Sequence, residues 1–438
     1  MAASTSAKFL RAVAALCLLA APLSSEAESS TESSHAKNCT VSNSYCRTIA
    51  AKVDDLVRAD FFDQGLVNSA WAPAYQSLKS ELADKKTQQL TLAAFGQKMN
   101  GALSALKTSH CQFVTQNDEA FYFLHSLFGS LNKSNRTRPH AWARPIACTG
   151  MATGGCGFEI NQVRYVLDGS PADKAGLTIG DKILTVAGKP YSGYLDFLGQ
   201  EGKPLKLSIS SQGKTQETTL TPVKKDLYSL YVDATRASYR KITRGKSVFG
   251  YVHLWAGGPL GAEAVNEVIA DEFRDVDGLI YDLRDGYGGA SMQDLDIFFR
   301  PAAAFPDCIS TDKAHKITIE RQFFDKPMVV LINSGSRSGK ELLAYGLKNS
   351  GRALLVGENT AGYVVAGRLT PIDNKCALYL AVIDISLKDK QLKRLMRLEG
   401  MGVAPDIVQI NTTHDQLGYG TQLSTAIEAL EKRLASQN

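Results

Sequence analysis

Past Leu23 the chain has no apolar run long enough to cross a bilayer, which excludes a polytopic helical membrane protein. Its cysteines and histidines show no spacing of the kind that holds zinc. A net charge of +5 over 438 residues, with the basic residues dispersed, gives no electrostatic footprint for nucleic acid. Gly339-Lys340 imitates the end of a phosphate-binding loop, but Ser334 stands where the first glycine belongs and Glu341 replaces the Ser/Thr. A Gly-x-Ser-x-Gly nucleophile elbow is also missing, because Ser336 sits two residues before Ser338. Metal, nucleotide and elbow-type hydrolase chemistries therefore find no support, and no cofactor is called for.

What is present begins at the N-terminus. Lys8 and Arg11 precede an apolar stretch from about Ala12 to Leu23, followed by small residues ending at Ser25-Glu26-Ala27. This is the layout of a secretory signal peptide over residues 1–27, so an exported protein, secreted or periplasmic and without stable membrane insertion, is expected. Cys17 would leave with the signal. In an oxidising compartment Cys39–Cys46 and Cys148–Cys156 are close enough to pair locally, with Cys308–Cys376 as a further pairing.

The length requires two or three domains. A polar segment, 28–45, has little to bury. Over 46–148 the runs "IAAKVDDLVRADFF", "AWAPAYQSLKSELA" and "TLAAFGQKMNGALSALK" repeat apolar residues at helical spacing, with Thr91 as an N-cap, before a basic connector around Asn132–Arg144. Residues 149–224 carry short strands, a small helix at Ala172–Ala175 and a hairpin around Gly213. From 225 to 438, apolar runs such as "GLIYDLR", "PMVVLINS", "RALLVGE" and "CALYLAVIDIS" alternate with helical segments, the pattern of α/β layers with some parallel pairing. The fold class expected is a multidomain α+β chain.

The stretch "DGSPADKAGLTIGDKILTVAGKP", Asp168 to Pro190, resembles the core of a PDZ domain. The resemblance implies a groove that takes a peptide C-terminus as an added strand. The loop Gly154-Gly155-Cys156-Gly157-Phe158 would then supply the backbone nest for the terminal carboxylate, with Gly155, Gly157 and Phe158 as peptide-binding residues. Cys156 is an unusual occupant of such a loop.

"VVLINSGSRSGKELLAYGLKN" places serines where a buried strand turns into a helix, whose first N–H groups and dipole favour developing negative charge. With "GLIYDLRDGYGG" and "LEGMGVAPDI", the chain resembles the C-terminal processing and tricorn-type serine peptidases of family S41 in the right order over most of its length. The resemblance implies a ClpP/crotonase-like α/β core. Aligning Ser336-Arg337-Ser338-Gly339-Lys340-Glu341 with the family's Ser-Ala-Ser-Ala-Ser-Glu makes Ser338 the nucleophile. The lysine base of the best-known branch falls on Tyr363, a poor base at neutral pH. Lys340 projects to another helix face and reads as a solvated lysine.

The tricorn-like branch implies a different set: His110 as general base, Ser109 linking it to Glu399, and Gly339 with Gly288 as oxyanion donors. His253 is a fallback base, and Cys111, next to His110, reads as a buried structural thiol. The expected activity is that of a metal-independent serine endopeptidase on unfolded or C-terminally tagged polypeptide. The rival is a catalytically inactive relative that binds peptide C-termini or a hydrophobic small molecule.

Overall fold

A computed structural model describes residues 40–83, 89–131, 145–155, 158–299, 308–311, 313, 317–320, 323–389, 393–411 and 420–436. The expected signal peptide, the connector after Leu131, and His35, His140, His315 and His414 lie outside these residues.

Helices α1 (Asn43–Asp60), α2 (Ala72–Ala83) and α3 (Leu92–Leu103) form the N-terminal part. Ser42 Oγ accepts the Tyr45 N–H at the start of α1, and Thr91 Oγ1 accepts the Ala94 N–H at the start of α3. Ile49, Val53 and Val57 recur every four residues on α1 and pack with Phe95 and Met99 of α3. The same cluster contains Phe113, Leu378 and Leu380, so this core is shared with residues from the far end of the chain. The shared seam is a three-stranded antiparallel sheet: β1 (Gln112–Thr115) pairs with a strand at Cys376–Ile383, whose other neighbour is Ala366–Pro371. Helix α4 (Glu119–Leu131) follows β1.

Strands β2 (Met151–Gly155), β3 (Phe158–Val166), β4 (Lys182–Val186), β5 (Leu205–Ser211) and β6 (Lys214–Leu220) lie in one sheet in the order β6-β5-β4-β3-β2, with the short helix α5 (Pro171–Lys174) between β3 and β4 in the chain. The β5–β6 hairpin turns on Gln212 and Gly213, both at positive φ (49° and 77°), as a two-residue turn matched to strand twist requires. Val163, Ile183, Leu207 and Ile209 fill its core.

After α6 (Leu227–Ala237) a six-stranded sheet carries the C-terminal part. The order is β7 (Arg240–Arg244), β8 (Ser247–His253), β9 (Gly278–Asp282), β10 (Met328–Ile332), β11 (Ala353–Gly357) and β14 (Ile407–Val408). Every pairing after the β7–β8 hairpin is parallel. Helices cover both faces, α7 (Pro259–Glu272) and α8 (Gly339–Asn349) on one and α9 (Thr421–Ala435) on the other. That is why β9 and β10 are buried at every position and read as unbroken apolar runs. The strands at Ala366–Pro371 and Cys376–Ile383, β12 and β13, leave this sheet for the antiparallel seam. Their apolar sequence specifies burial, and the partner is set by β1, far away in the chain.

The disulfide expectations are corrected: Cys46, Cys148 and Cys376 are buried free thiols. Cys46 faces the α1 core, where burial pushes its thiol up to about 11. Cys148 Sγ donates to the Lys225 carbonyl at 3.3 Å, and Cys376 Sγ donates to Asp373 Oδ1 at 3.2 Å. The other member of each proposed pair, Cys39, Cys156 or the side chain of Cys308, is outside what is described.

Candidate active site

Ser338 stands at the junction of β10 and α8 with φ 57° and ψ −127°, a conformation that costs a non-glycine residue about 1–3 kcal/mol. Two bonds fix the turn before it, and one holds Ser338 itself. Ser336 Oγ donates to the Leu283 carbonyl at 2.9 Å, and the Asn333 N–H returns to Ser336 Oγ at 3.1 Å. The Ser338 N–H donates to Glu341 Oε2 at 3.0 Å. Glu341 is fully buried and also accepts from Thr360 Oγ1 (2.6 Å), the Gly362 N–H (2.7 Å) and the Tyr363 N–H (2.7 Å), so it clamps the start of α8 to the 360–363 loop. Tyr363, at the position of the absent lysine, is 49% exposed and engages the clamp only through its backbone.

The turn after β9 presses directly on this junction. A Cβ on Gly288 would lie 2.5 Å from Ser338 Cβ and 2.9 Å from the Arg337 carbonyl, and one on Gly339 would lie 2.1 Å from the Ala290 carbonyl. Only glycine allows backbone to approach so closely. Among the described residues neither the Gly288 nor the Gly339 N–H has an acceptor, which leaves two donors beside Ser338.

On the opposite wall, Ser109 and His110 follow the last helical turn of the N-terminal part, and His110 has φ 59°. Four donors converge on Glu399: the Ser109 N–H (2.8 Å, to Oε1), and Ser109 Oγ (3.0 Å) with the Val364 and Val365 N–H groups (2.7 and 3.2 Å), all to Oε2. Ser109 Oγ also lies 2.8 Å from His110 Nδ1. A hydroxyl has one proton, and here it goes to Glu399, so the oxygen must accept at Nδ1. The Nδ1–H tautomer follows, with the lone pair on Nε2. The imidazole is partly buried, with its centroid 5.1 Å from the Tyr379 ring. Burial, reinforced by the charge of Arg337 and opposed by Glu399, lowers it to about 4. Among the described residues no hydrogen bond joins His110 to Ser338.

Two expectations change. Lys340 is not solvated: it is fully buried, and its Nζ donates to the carbonyls of Asp285 (2.6 Å), Arg284 (3.3 Å) and Trp255 (3.4 Å). Burial lowers it to about 7, with Asp282 and Asp285 opposing. His253 is no fallback base: its ring stacks on Trp255 at 3.7 Å and its Nε2 lies 2.8 Å from the Arg284 carbonyl, which makes it part of the same buried support. Cys111 is a free, partly exposed thiol pushed up to about 11 by burial. Gly155 and Phe158 face each other across the β2–β3 turn, whose two central residues, Cys156 and Gly157, are not described.

This geometry lies within a chain that matches two family models. Residues 162–198 match the PDZ domain and residues 248–409 match peptidase family S41. The chain carries a peptidase S41 domain. Ser338, Gly288 and Glu399 fall inside that S41 domain, whereas Ser109 and His110 lie well before it. Among curated relatives, the carboxyl-terminal-processing protease of Synechocystis sp. is 30% identical over 276 residues, covering 57% of this chain and 62% of that one. Carboxyl-terminal-processing peptidase 3, chloroplastic, of Arabidopsis thaliana is 26% identical over 275 residues, covering 56% and 50%. The chain thus spans between half and two thirds of these relatives' length. The tricorn protease structure matches with a TM-score of 0.53 at 16% identity, covering 90% of this chain and 37% of that one. Mature CPAF complexed with lactacystin matches at 0.50 and 13%, covering 90% and 98%. At such identities the likeness is one of fold, and it places the S41 domain in a multidomain helix-and-sheet architecture of that kind.

Proposed function

We propose that the chain is a serine endopeptidase acting on polypeptides, with Ser338 as nucleophile and His110 as general base. The observation that carries this reading is the Glu399–Ser109–His110 chain, which fixes the imidazole tautomer with its basic nitrogen free. His110 Nε2 takes the Ser338 Oγ proton as the oxygen attacks the scissile carbonyl. The oxyanion meets the N–H groups of Gly339 and Gly288, each such donor being worth about 3 kcal/mol in serine hydrolases. His110 then protonates the leaving amine, and water, deprotonated by the same imidazole, releases the acyl group from Ser338. This reading requires His110 Nε2 and Ser338 Oγ to come within hydrogen-bond reach when substrate is bound.

The polypeptide substrate is supported by the names of the relatives and by the PDZ domain, whose β2–β3 turn would receive a peptide C-terminus at Gly155, Gly157 and Phe158. Export rests on the N-terminal sequence; among the described residues no helix is long and apolar enough to cross a membrane. Purified wild type and Ser338→Ala incubated with unfolded casein decide the matter. Wild type is expected to degrade casein and Ser338→Ala to lose at least ~10³-fold in rate; equal rates, or none from either, overturn the peptidase reading.

A further inference from the structure

Arg337, immediately before Ser338, is the charge in this cleft that the proposed mechanism leaves unused. Its guanidinium is fixed: Nε and Nη2 donate to the Gly286 carbonyl at 3.1 and 2.8 Å, and its centre lies 5.1 Å from the Tyr287 ring centroid. Tyr287 is itself stacked on Phe123 at 3.6 Å, so the platform under the cation is rigid. Arg284 is clamped by Asp282, Arg236 by Glu267 and Arg397 by Asp384, whereas Arg352, like Arg337, donates to backbone carbonyls. Among the described residues no carboxylate pairs with Arg337.

A guanidinium has five N–H donors in a planar fork that matches a carboxylate. Arg337 spends two nitrogens on one neutral carbonyl and keeps the rest, half-buried, beside the nucleophile. Its charge acts on His110 and Tyr379 across the cleft as well as on Tyr287 below it. Stapling the Gly286 turn asks only for a donor of similar reach, and it leaves the partly exposed charge of Arg337 available to a ligand.

We propose that Arg337 is a specificity residue that receives a carboxylate of the bound polypeptide next to the scissile bond, so that the site selects acidic segments. The proposal rests on the peptidase reading for the location of that bond. A Glu or Asp side chain is the source that a cation at the cleaved position suits best; the chain-terminal carboxylate offers the same chemistry.

The test is binding to Ser338→Ala, which separates recognition from cleavage. Four fluorescein-labelled, unstructured dodecapeptides are compared by anisotropy: central Glu-Glu or Gln-Gln, each with a free or an amidated C-terminus. The carboxylate peptides are expected to bind roughly tenfold more tightly, equivalent to about 1.4 kcal/mol. The preference should weaken with salt and vanish in Ser338→Ala/Arg337→Met, while Ser338→Ala/Arg337→Lys retains much of it and shows that the fold is intact. A preference that follows Glu against Gln assigns the side-chain source, and one that follows amidation assigns the chain end. Equal affinities for all four peptides, undetectable binding included, or a preference that survives Arg337→Met, overturn the proposal. An Arg337-dependent preference in a wild type that cleaves nothing would sink the peptidase reading alone.

Discussion

At the scale of single residues, the site is controlled by what surrounds one imidazole. Burial disfavours protonated His110, Glu399 opposes it and Arg337 adds to the effect; the Tyr379 ring packs against the imidazole. The outcome of about 4, against an ordinary histidine near 6.5, means that the base form persists well into acid. The kcat/KM profile for peptide hydrolysis should therefore stay level down to about pH 5 and fall near pH 4. Stability moves with the same protons. Between about 4 and 6.5 the unfolded chain binds a proton that folded His110 refuses, so stability drops as pH falls through that window, and His253, lowered to about 3 by burial, acts in the same direction. A pH-rate profile with circular dichroism at each pH checks this: an acid limb centred near 6.5 while the chain is still folded would contradict the lowered base. The resemblance to the tricorn-like peptidases singles out Ser338, Ser109, His110 and Glu399 in the sequence, and the structure brings Ser109, His110 and Glu399 together. The role proposed for Arg337 is not legible in the sequence, because it rests on a missing partner, and sequence does not display partners.

Among the elements, helix α8 shows why Lys340 was misread. Two residues into an amphipathic helix, a lysine is ordinarily solvated, and nothing in "SGKELL" announces that three carbonyls converge on it. Those carbonyls belong to the end of the β8 segment and to the turn after β9, the turn that carries Gly288 to Ser338. Lys340 thus couples the helix that starts at Ser338 to the turn that carries Gly288, as a positioning residue for the proposed nucleophile and oxyanion donor. Gly286 is part of this fit, since a Cβ there would meet the Trp255 carbonyl at 1.9 Å and Lys340 Nζ at 3.3 Å. Lys340→Met removes the ammonium and leaves the stem, and should lower kcat by about 10²-fold with KM changed little, the pattern of a misaimed transition-state donor. Steady-state kinetics beside a thermal melt tell this from simple unfolding; a rise in KM at constant kcat would show that the turn serves substrate binding instead. The parallel strands were legible because burial on both faces writes an unbroken apolar run. The destination of Cys376–Ile383 was not, because its partner strand is remote.

For the whole molecule, the decisive feature is that the two halves of the site arrive from opposite ends of the chain and meet across one seam. Ser338 is built on the parallel sheet, whereas His110 is anchored two residues before β1, which pairs with β13. The seam has its own core, in which Leu378, opposite Phe113 in register, is fully buried with Phe95 and Met99. Leu378→Ala should cost about 2–5 kcal/mol there. The parallel sheet has a separate core under α9, to which Leu430 contributes as a fully buried side chain. If the seam yields as a cooperative unit of its own, Leu378→Ala loses activity at a lower urea concentration than the one that unfolds the sheet, reported by fluorescence of buried Trp255 with Trp71 and Trp142 replaced by Phe. Leu430→Ala, which weakens the sheet itself, should lose activity and fluorescence together. Coincident transitions in both variants would mean that seam and sheet unfold as one body, and that the distance from His110 to Ser338 is set by global stability alone.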